Sequence, residues 1–207
     1  VNFDLSPASS SPLIDSPKKG SEPLPPESLA IAIRVAEVED IESLAEILTQ
    51  SFHSFKGVLV WLKPLLKLGI YEDLSSRLKA HSPHYVCLVA VTATGTDKEQ
   101  IVGTIEINLR SPKSWFSAQK KNIYPYISNL AVSSSFRRRG IARQLLAKCD
   151  CIALGWGYRD LNLHVLENNQ RARDLYCGSG YEFDLAESTW IGWLFKLPRR
   201  FLLKKKL

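Results

Sequence analysis

The chain has 207 residues, 45% of them hydrophobic, enough for one well-filled core and too few for several large domains. Its net charge of +6 and pI near 9.1 favour anionic partners: nucleic acid, an acidic surface or a phosphorylated small molecule. No apolar run is long enough to span a bilayer, and Cys87, Cys149, Cys151 and Cys177 lack zinc spacing, so reduced thiols and no metal site are expected.

Residues 1–28 are rich in Ser and Pro, bury too little apolar surface to offset their ordering entropy, and are expected to form a disordered tail. Asp4, Asp15, Glu22 and Glu27, with no Arg, speak against a transit peptide there, and there is no signal-peptide apolar region. The folded part, 29–198, opens on "IAIRVAEV", where Ile31, Ile33 and Val35 alternate as in a half-buried strand. Ile41, Leu44, Ala45, Leu48 and Phe52 then repeat at helical spacing, with Glu37, Glu39 and Asp40 at the dipole's positive end. "VLVWLKPLLKLG" is interrupted by Pro64, and "YEDLSSRLKAH" reads as a second, short helix.

"YVCLVAV" and "QIVGTIEINL" follow as strands joined by a Thr/Gly/Asp turn, and a loop leads to the strand "YISNLAV". The next helix, "GIARQLLAKCDCIALGWG", buries Ile141, Leu145, Cys149 and Ile152 and is stopped by Gly155 and Gly157. "LNLHV" is a strand and "NNQRARDLYCGSG" a short helix. "YEFDL" and "STWIGWLFKL" close as a strand pair. The order β-α-α-β-β-β-α-β-α-β-β predicts an α/β domain on one mixed sheet. Five of the last nine residues are Lys or Arg, so 199–207 reads as a basic tail, either frayed or attracted to acidic lipid, RNA or protein with help from Phe201, Leu202 and Leu203.

The stretch "SNLAVSSSFRRRGIARQLL" carries the chemistry. Three adjacent arginines repel one another unless water or an anion screens them. Here they stand between a strand and a helix start. The exposed N–H groups and dipole of a helix N-terminus attract anions, Gly140 lets an anion approach the backbone, and small Ala142 does nearly the same. Arg137, Arg138 and Arg139 add forked donors suited to phosphate. A solvated charge cluster is the plain alternative. Neither a P-loop nor a G-x-G-x-x-G is present.

The pattern R-x-x-G-x-A after a strand, followed by "LNLHVLENNQRARDLYCGSGYEF", resembles the GNAT superfamily of acetyl-CoA-dependent N-acetyltransferases, over about residues 31–197. The plastid and cyanobacterial members are similar in overall pattern. Ala142 for the commoner Gly and Tyr181 for the commoner Phe are mild departures. The resemblance implies a GNAT fold, a mostly antiparallel sheet splayed between its fourth and fifth strands, with acetyl-CoA as co-substrate. It implies cofactor contacts from Leu130, Ala131, Val132, Arg137, Arg138, Arg139, Gly140, Ile141, Ala142, Arg143, Asn169 and Tyr176, an oxyanion donor near Val132, and Tyr176 as acid for the departing thiolate.

For the base, Tyr126 and His164 resemble the pair that some protein N-terminal acetyltransferases use through water; Glu106 is the alternative, and a core histidine remains the plain reading of His164. The expected acceptor is a protein α-amine, with lysine or a small-molecule amine as alternatives. A silent acyl-CoA-binding module or a nucleic-acid binder is the competing class, although Tyr176 and Gly140 are both present and no nucleic-acid-reading motif, and hence no DNA partner, is seen. The expected location is cytoplasmic, or the plastid stroma in a eukaryote. Trp61 and Trp115 stand where a substrate could be gripped.

Overall fold

The computed structural model describes residues 30–51, 63–80, 82–94, 96–111, 123–187 and 198–207. Among these residues seven strands form one sheet: β1 (Ile31–Val35), β2 (Tyr85–Thr94), β3 (Thr96–Arg110), β4 (Tyr124–Val132), β5 (Asp160–Leu166), β6 (Glu182–Glu187) and β7 (Arg200–Lys206), in spatial order 1-2-3-4-5-7-6. Only β4 and β5 are parallel. Among the described residues four α-helices accompany them: α1 (Ile41–Ser51), α2 (Lys63–Lys79), α3 (Ile141–Gly155) and α4 (Gln170–Cys177). The element order is the expected one as far as β6; the last strand is Arg200–Lys206 rather than the expected "STWIGWLFKL". Residues 1–28, Phe52, Trp61, Trp115 and "STWIGWLFKL" up to Leu197 lie outside the described residues.

Alternation along the strands sends two apolar sets to opposite faces. Leu88, Ala90, Ile105, Ile107, Ile127, Leu161 and Leu163 pack with Ile141, Leu145, Leu146 and Cys149 of α3. Cys87, Val89 and Val91 meet Leu44, Ile47 and Leu48 of α1 and Leu74 of α2 on the other face. Cys149 is buried and Cys151 exposed, as opposite faces of α3 require, and both are free thiols. The helix ends as its glycines dictate: Gly157 takes φ +83°, and the N–H groups of Gly157 and Tyr158 close back on the carbonyls of Leu154 and Ala153.

Two expectations are corrected. Pro64 does not interrupt a helix; it stands in the first turn of the 17-residue α2, where a missing N–H is no loss. Residues 199–207 are not a tail. Arg200–Lys206 is β7, paired with β5 along its whole length and with β6 from Arg200 to Lys204, and the domain extends to the end of the described chain. Leu203 is buried, Phe201 packs against the core, and Lys205 and Lys204 pair with Asp150 at 2.6 Å and Asp160 at 3.1 Å. The apolar side chains that a lipid-binding tail would use are therefore spent on the sheet.

Deleting 199–207 is accordingly expected to abolish the cooperative thermal transition, rather than to weaken an acidic partner's binding. It strips β5 and β6 of their shared partner. The orphaned backbone groups, at about 1–3 kcal/mol each, together with the lost burial of Leu203, exceed a typical total stability of about 5–15 kcal/mol. Calorimetry of the truncated chain checks this; a normal melting transition would remove β7 from the core.

Candidate functional site

The parallel pairing of β4 and β5 is short. Tyr126 faces Asn162 and Ile127 faces Leu163, and no further rung forms although both strands continue. β4 turns away because of a bulge. Thr104 and Glu106 on β3 face Ala131 and Ser128, leaving Asn129 and Leu130 without partners on β3. Asn129 sits at φ +54°, a left-handed value that asparagine tolerates better than most side chains. Its Nδ2 donates to Glu106 Oε1 at 2.8 Å, and Arg77 Nη1 from α2 donates to Oε2 at 2.8 Å. Glu106 is wholly buried, so an uncompensated charge would be costly, and these two donors compensate it.

The divergence opens a cleft of about 630 Å³. Its walls include Tyr126, Ser128, Asn129 and Leu130 of β4, His164 of β5, Asn169 and Tyr176 at α4, and Arg200 of β7. Tyr126 Oη and His164 Nδ1 are 2.9 Å apart across it, so each ring fixes the other; which atom donates follows the imidazole tautomer. Arg110 stacks its guanidinium 3.6 Å from the centre of the Tyr126 ring. Tyr176 is buried, edge-on to Tyr181 with ring centres 5.9 Å apart. Burial, with Tyr126 a smaller contributor, pushes its hydroxyl up to about 12, so it stays protonated through the neutral range. Asn169 caps α4, its side-chain oxygen accepting from the Ala172 N–H at 3.2 Å.

The arginine run sits at the far end of β4. A short 3₁₀ turn, Ser134–Phe136, leads into it, and the backbone alternates hand: Arg138 takes φ +65° and Gly140 φ +80°. Such alternation turns successive N–H groups toward one concavity, and a non-glycine residue there costs on the order of 1–2 kcal/mol. Gly140 is the N-cap of α3 and provides no side-chain cap, so the first-turn N–H groups of Ile141, Ala142 and Arg143 remain available. A Cβ built on Gly140 meets nothing within 4 Å. Arg137 is turned inward, its Nε donating to the Val132 carbonyl at 3.1 Å, and Arg139 lies 5.4 Å from the Phe136 ring centre. An open helix start, a cradle of N–H groups and exposed guanidinium groups suit a diphosphate.

The structure thus brings Tyr126, His164, Tyr176, Asn169 and Leu130 to one cleft, with the arginine loop following from the same strand. Glu106 is not on the cleft wall. Ser128, Asn129 and Arg200 went unnoticed as candidates; the polar pair in "YISNLAV" was the available signal for the first two. Among the described residues no group of three His, Cys, Asp or Glu side chains could hold a metal ion, and no helix is long and apolar enough to cross a membrane.

Residues 41–181 match the model of the acetyltransferase (GNAT) family. The chain is 36% identical over 148 residues to GCN5-related N-acetyltransferase 10, chloroplastic, of Arabidopsis thaliana, covering 66% of this chain and 56% of that protein. It is 31% identical over 145 residues to thialysine N-epsilon-acetyltransferase of Bos taurus, covering 64% and 81%. The chain spans about half the length of the first plant relatives it matches. Among solved structures, the PaiA N-acetyltransferase of Thermoplasma acidophilum in complex with coenzyme A superposes with a TM-score of 0.65 at 16% identity, over 86% of this chain and 100% of that one. NAA60 of Arabidopsis thaliana in complex with acetyl-CoA gives 0.63 at 18% identity, over 86% and 99%. The matched span holds the bulged β4, the arginine loop and α4 together, and the chain belongs to the GNAT family of acetyltransferases.

Proposed function

We propose that this protein is an N-acetyltransferase that moves the acetyl group of acetyl-CoA to a primary amine, by direct attack within a ternary complex, and that its main acceptor is a protein N-terminal α-amine. The observation that carries the reading is the 2.9 Å bond between Tyr126 and His164 across the open seam of β4 and β5, in the same cleft as Tyr176.

Acetyl-CoA would supply an activated acetyl group on a thioester. Its diphosphate suits the N–H groups of Gly140, Ile141, Ala142 and Arg143 with the charge of Arg137, Arg138 and Arg139. Leu130, freed from β3 by the bulge, and the neighbouring Ala131 and Val132 offer backbone groups to the pantetheine arm; a backbone N–H near Val132 is the candidate donor to the acetyl oxygen. The Tyr126–His164 pair would take the amine's proton, through an intervening water, because imidazole accepts protons near neutrality. Tyr176, protonated and lining the cleft, would return a proton to the departing sulfur. Glu106 suits this task poorly: both its oxygens are held, and it stands behind the strand rather than in the cleft. Its work is to pin the bulge.

The acceptor follows from acidity. An α-amine with pKa about 8 is neutral roughly a hundred times more often at pH 7.5 than a lysine amine near 10.4, so a mild base suffices for the first. The test compares a peptide with a free N-terminus against its N-blocked twin carrying one lysine, with products identified by mass. The free N-terminus should react at least tenfold faster; equal rates would remove the α-amine assignment. A second reading, the side-chain amine of a small molecule, draws on the likeness to the bovine thialysine enzyme. Chloroplastic relatives support a plastid stroma location.

A further inference from the structure

One cleft residue has no part in the transfer chemistry above. Arg200, the first residue of β7, is exposed, lines the cleft, and is the only residue with a permanent charge on its described wall. Register fixes where it stands: Arg200 faces Leu166 and Leu202 faces His164. Cross-strand partners share a face of the sheet, and so do residues two apart on one strand. Arg200 and His164 therefore point to the same side, as diagonal neighbours about 7 Å apart.

Among the described residues that line the cleft, the fixed charge is positive. Arg199, next along the chain, pairs with Glu167 at 3.3 Å, and Glu187 of β6 is the register partner of Arg200. No carboxylate is among the described residues that line the cleft. The nearest buried one, Glu106, is neutralised by Arg77, and Arg110 adds a second guanidinium over the Tyr126 ring. A wall of this kind repels a bare amine, which arrives mostly as a cation. It suits an acceptor that brings its own negative charge.

Resting on the amine-acetylation reading, the geometry points to Arg200 as a specificity-determining residue that binds a carboxylate of the acceptor. Guanidinium and carboxylate form paired, charge-assisted hydrogen bonds, and such a contact at a solvent-exposed mouth discriminates by roughly tenfold. Two acceptors carry a carboxylate a few bonds from the reacting amine: a peptide N-terminus with Asp or Glu as second residue, and a free diamino acid with its α-carboxylate.

The experiment measures kcat/KM at low salt for Ser-Glu against Ser-Gln peptides, and for free lysine against cadaverine, which is lysine without its carboxylate. Wild-type protein should prefer the carboxylate-bearing member of at least one pair by about tenfold, with the responsive pair naming the source. Arg200→Gln should bring that ratio to about one, Arg200→Glu should invert it, and 0.5 M salt, at which the Debye length falls to roughly 4 Å, should shrink it. A ratio of one in both pairs for wild type, or a ratio that survives Arg200→Gln, overturns the proposal. If coenzyme A binds but no amine is acetylated, the transfer reading itself fails. Arg200 is then judged by titrating the two peptides into the coenzyme A complex, where equal affinities overturn it and a preference for Ser-Glu that Arg200→Gln removes supports it.

Discussion

Gly140→Glu is expected to lower acetyl-CoA affinity by at least a hundredfold while leaving a folded protein. Gly140 holds φ +80° at the start of α3, so any side chain there costs on the order of 1–2 kcal/mol of stability. A new Cβ meets no protein atom within 4 Å, so strain is the whole structural penalty. The space that the carboxylate would enter is the mouth of the N–H cradle. There it binds the helix dipole favourably and so competes, within the same molecule, with the ligand's phosphates. Gly140→Ala separates the two effects: it carries the same backbone strain without the charge, and should show a similar fall in Tm with only a modest loss of affinity. Isothermal calorimetry on both variants decides it. Undiminished affinity in folded Gly140→Glu would place the phosphates elsewhere.

The residues proposed to hold the cofactor's phosphates are marked by local signals of the sequence. The arginine run, Gly140 and the amphipathic α3 are contiguous, so chain order alone lays out the cradle. The proposed catalytic pair is different in kind. Tyr126 and His164 are 38 residues apart, and their bond exists only because β4 and β5 lie side by side. Glu106 reads in "QIVGTIEINL" as an alternative base; that Arg77, 29 residues earlier, and Asn129 hold its buried carboxylate has no local signal. β7 was hidden most completely. Three consecutive lysines read as a solvated tail, and the carboxylates that hold two of them in the sheet, Asp150 and Asp160, lie some 40–55 residues upstream. Where a polar residue's partner is distant in sequence, local periodicity assigns it to water by default.

Tyr126→Phe and His164→Ala should each lower kcat on a free peptide N-terminus by roughly ten- to a thousandfold, with acetyl-CoA affinity unchanged. The phenylalanine keeps a ring for Arg110 to stack on and removes only the hydroxyl that meets His164 Nδ1, so packing is preserved while the proton path is cut. The alanine removes the imidazole from the cleft wall and leaves the arginine loop, at the other end of β4, untouched. Because both variants remove parts of one pair, the double variant should be little worse than the worse single one, which is how residues acting as a unit behave. Glu106→Gln provides the contrast. The amide still accepts from Asn129 but leaves the Arg77 guanidinium without its buried counter-charge, so Tm should fall and the KM for acetyl-CoA rise as the bulge loosens. The pH–rate profile should keep its shape, since no titrating base has been lost. If instead Glu106→Gln erased the basic limb of that profile while Tyr126→Phe and His164→Ala left kcat in place, the proton would leave through β3, and the pair across the β4–β5 seam would be holding the two strands in register.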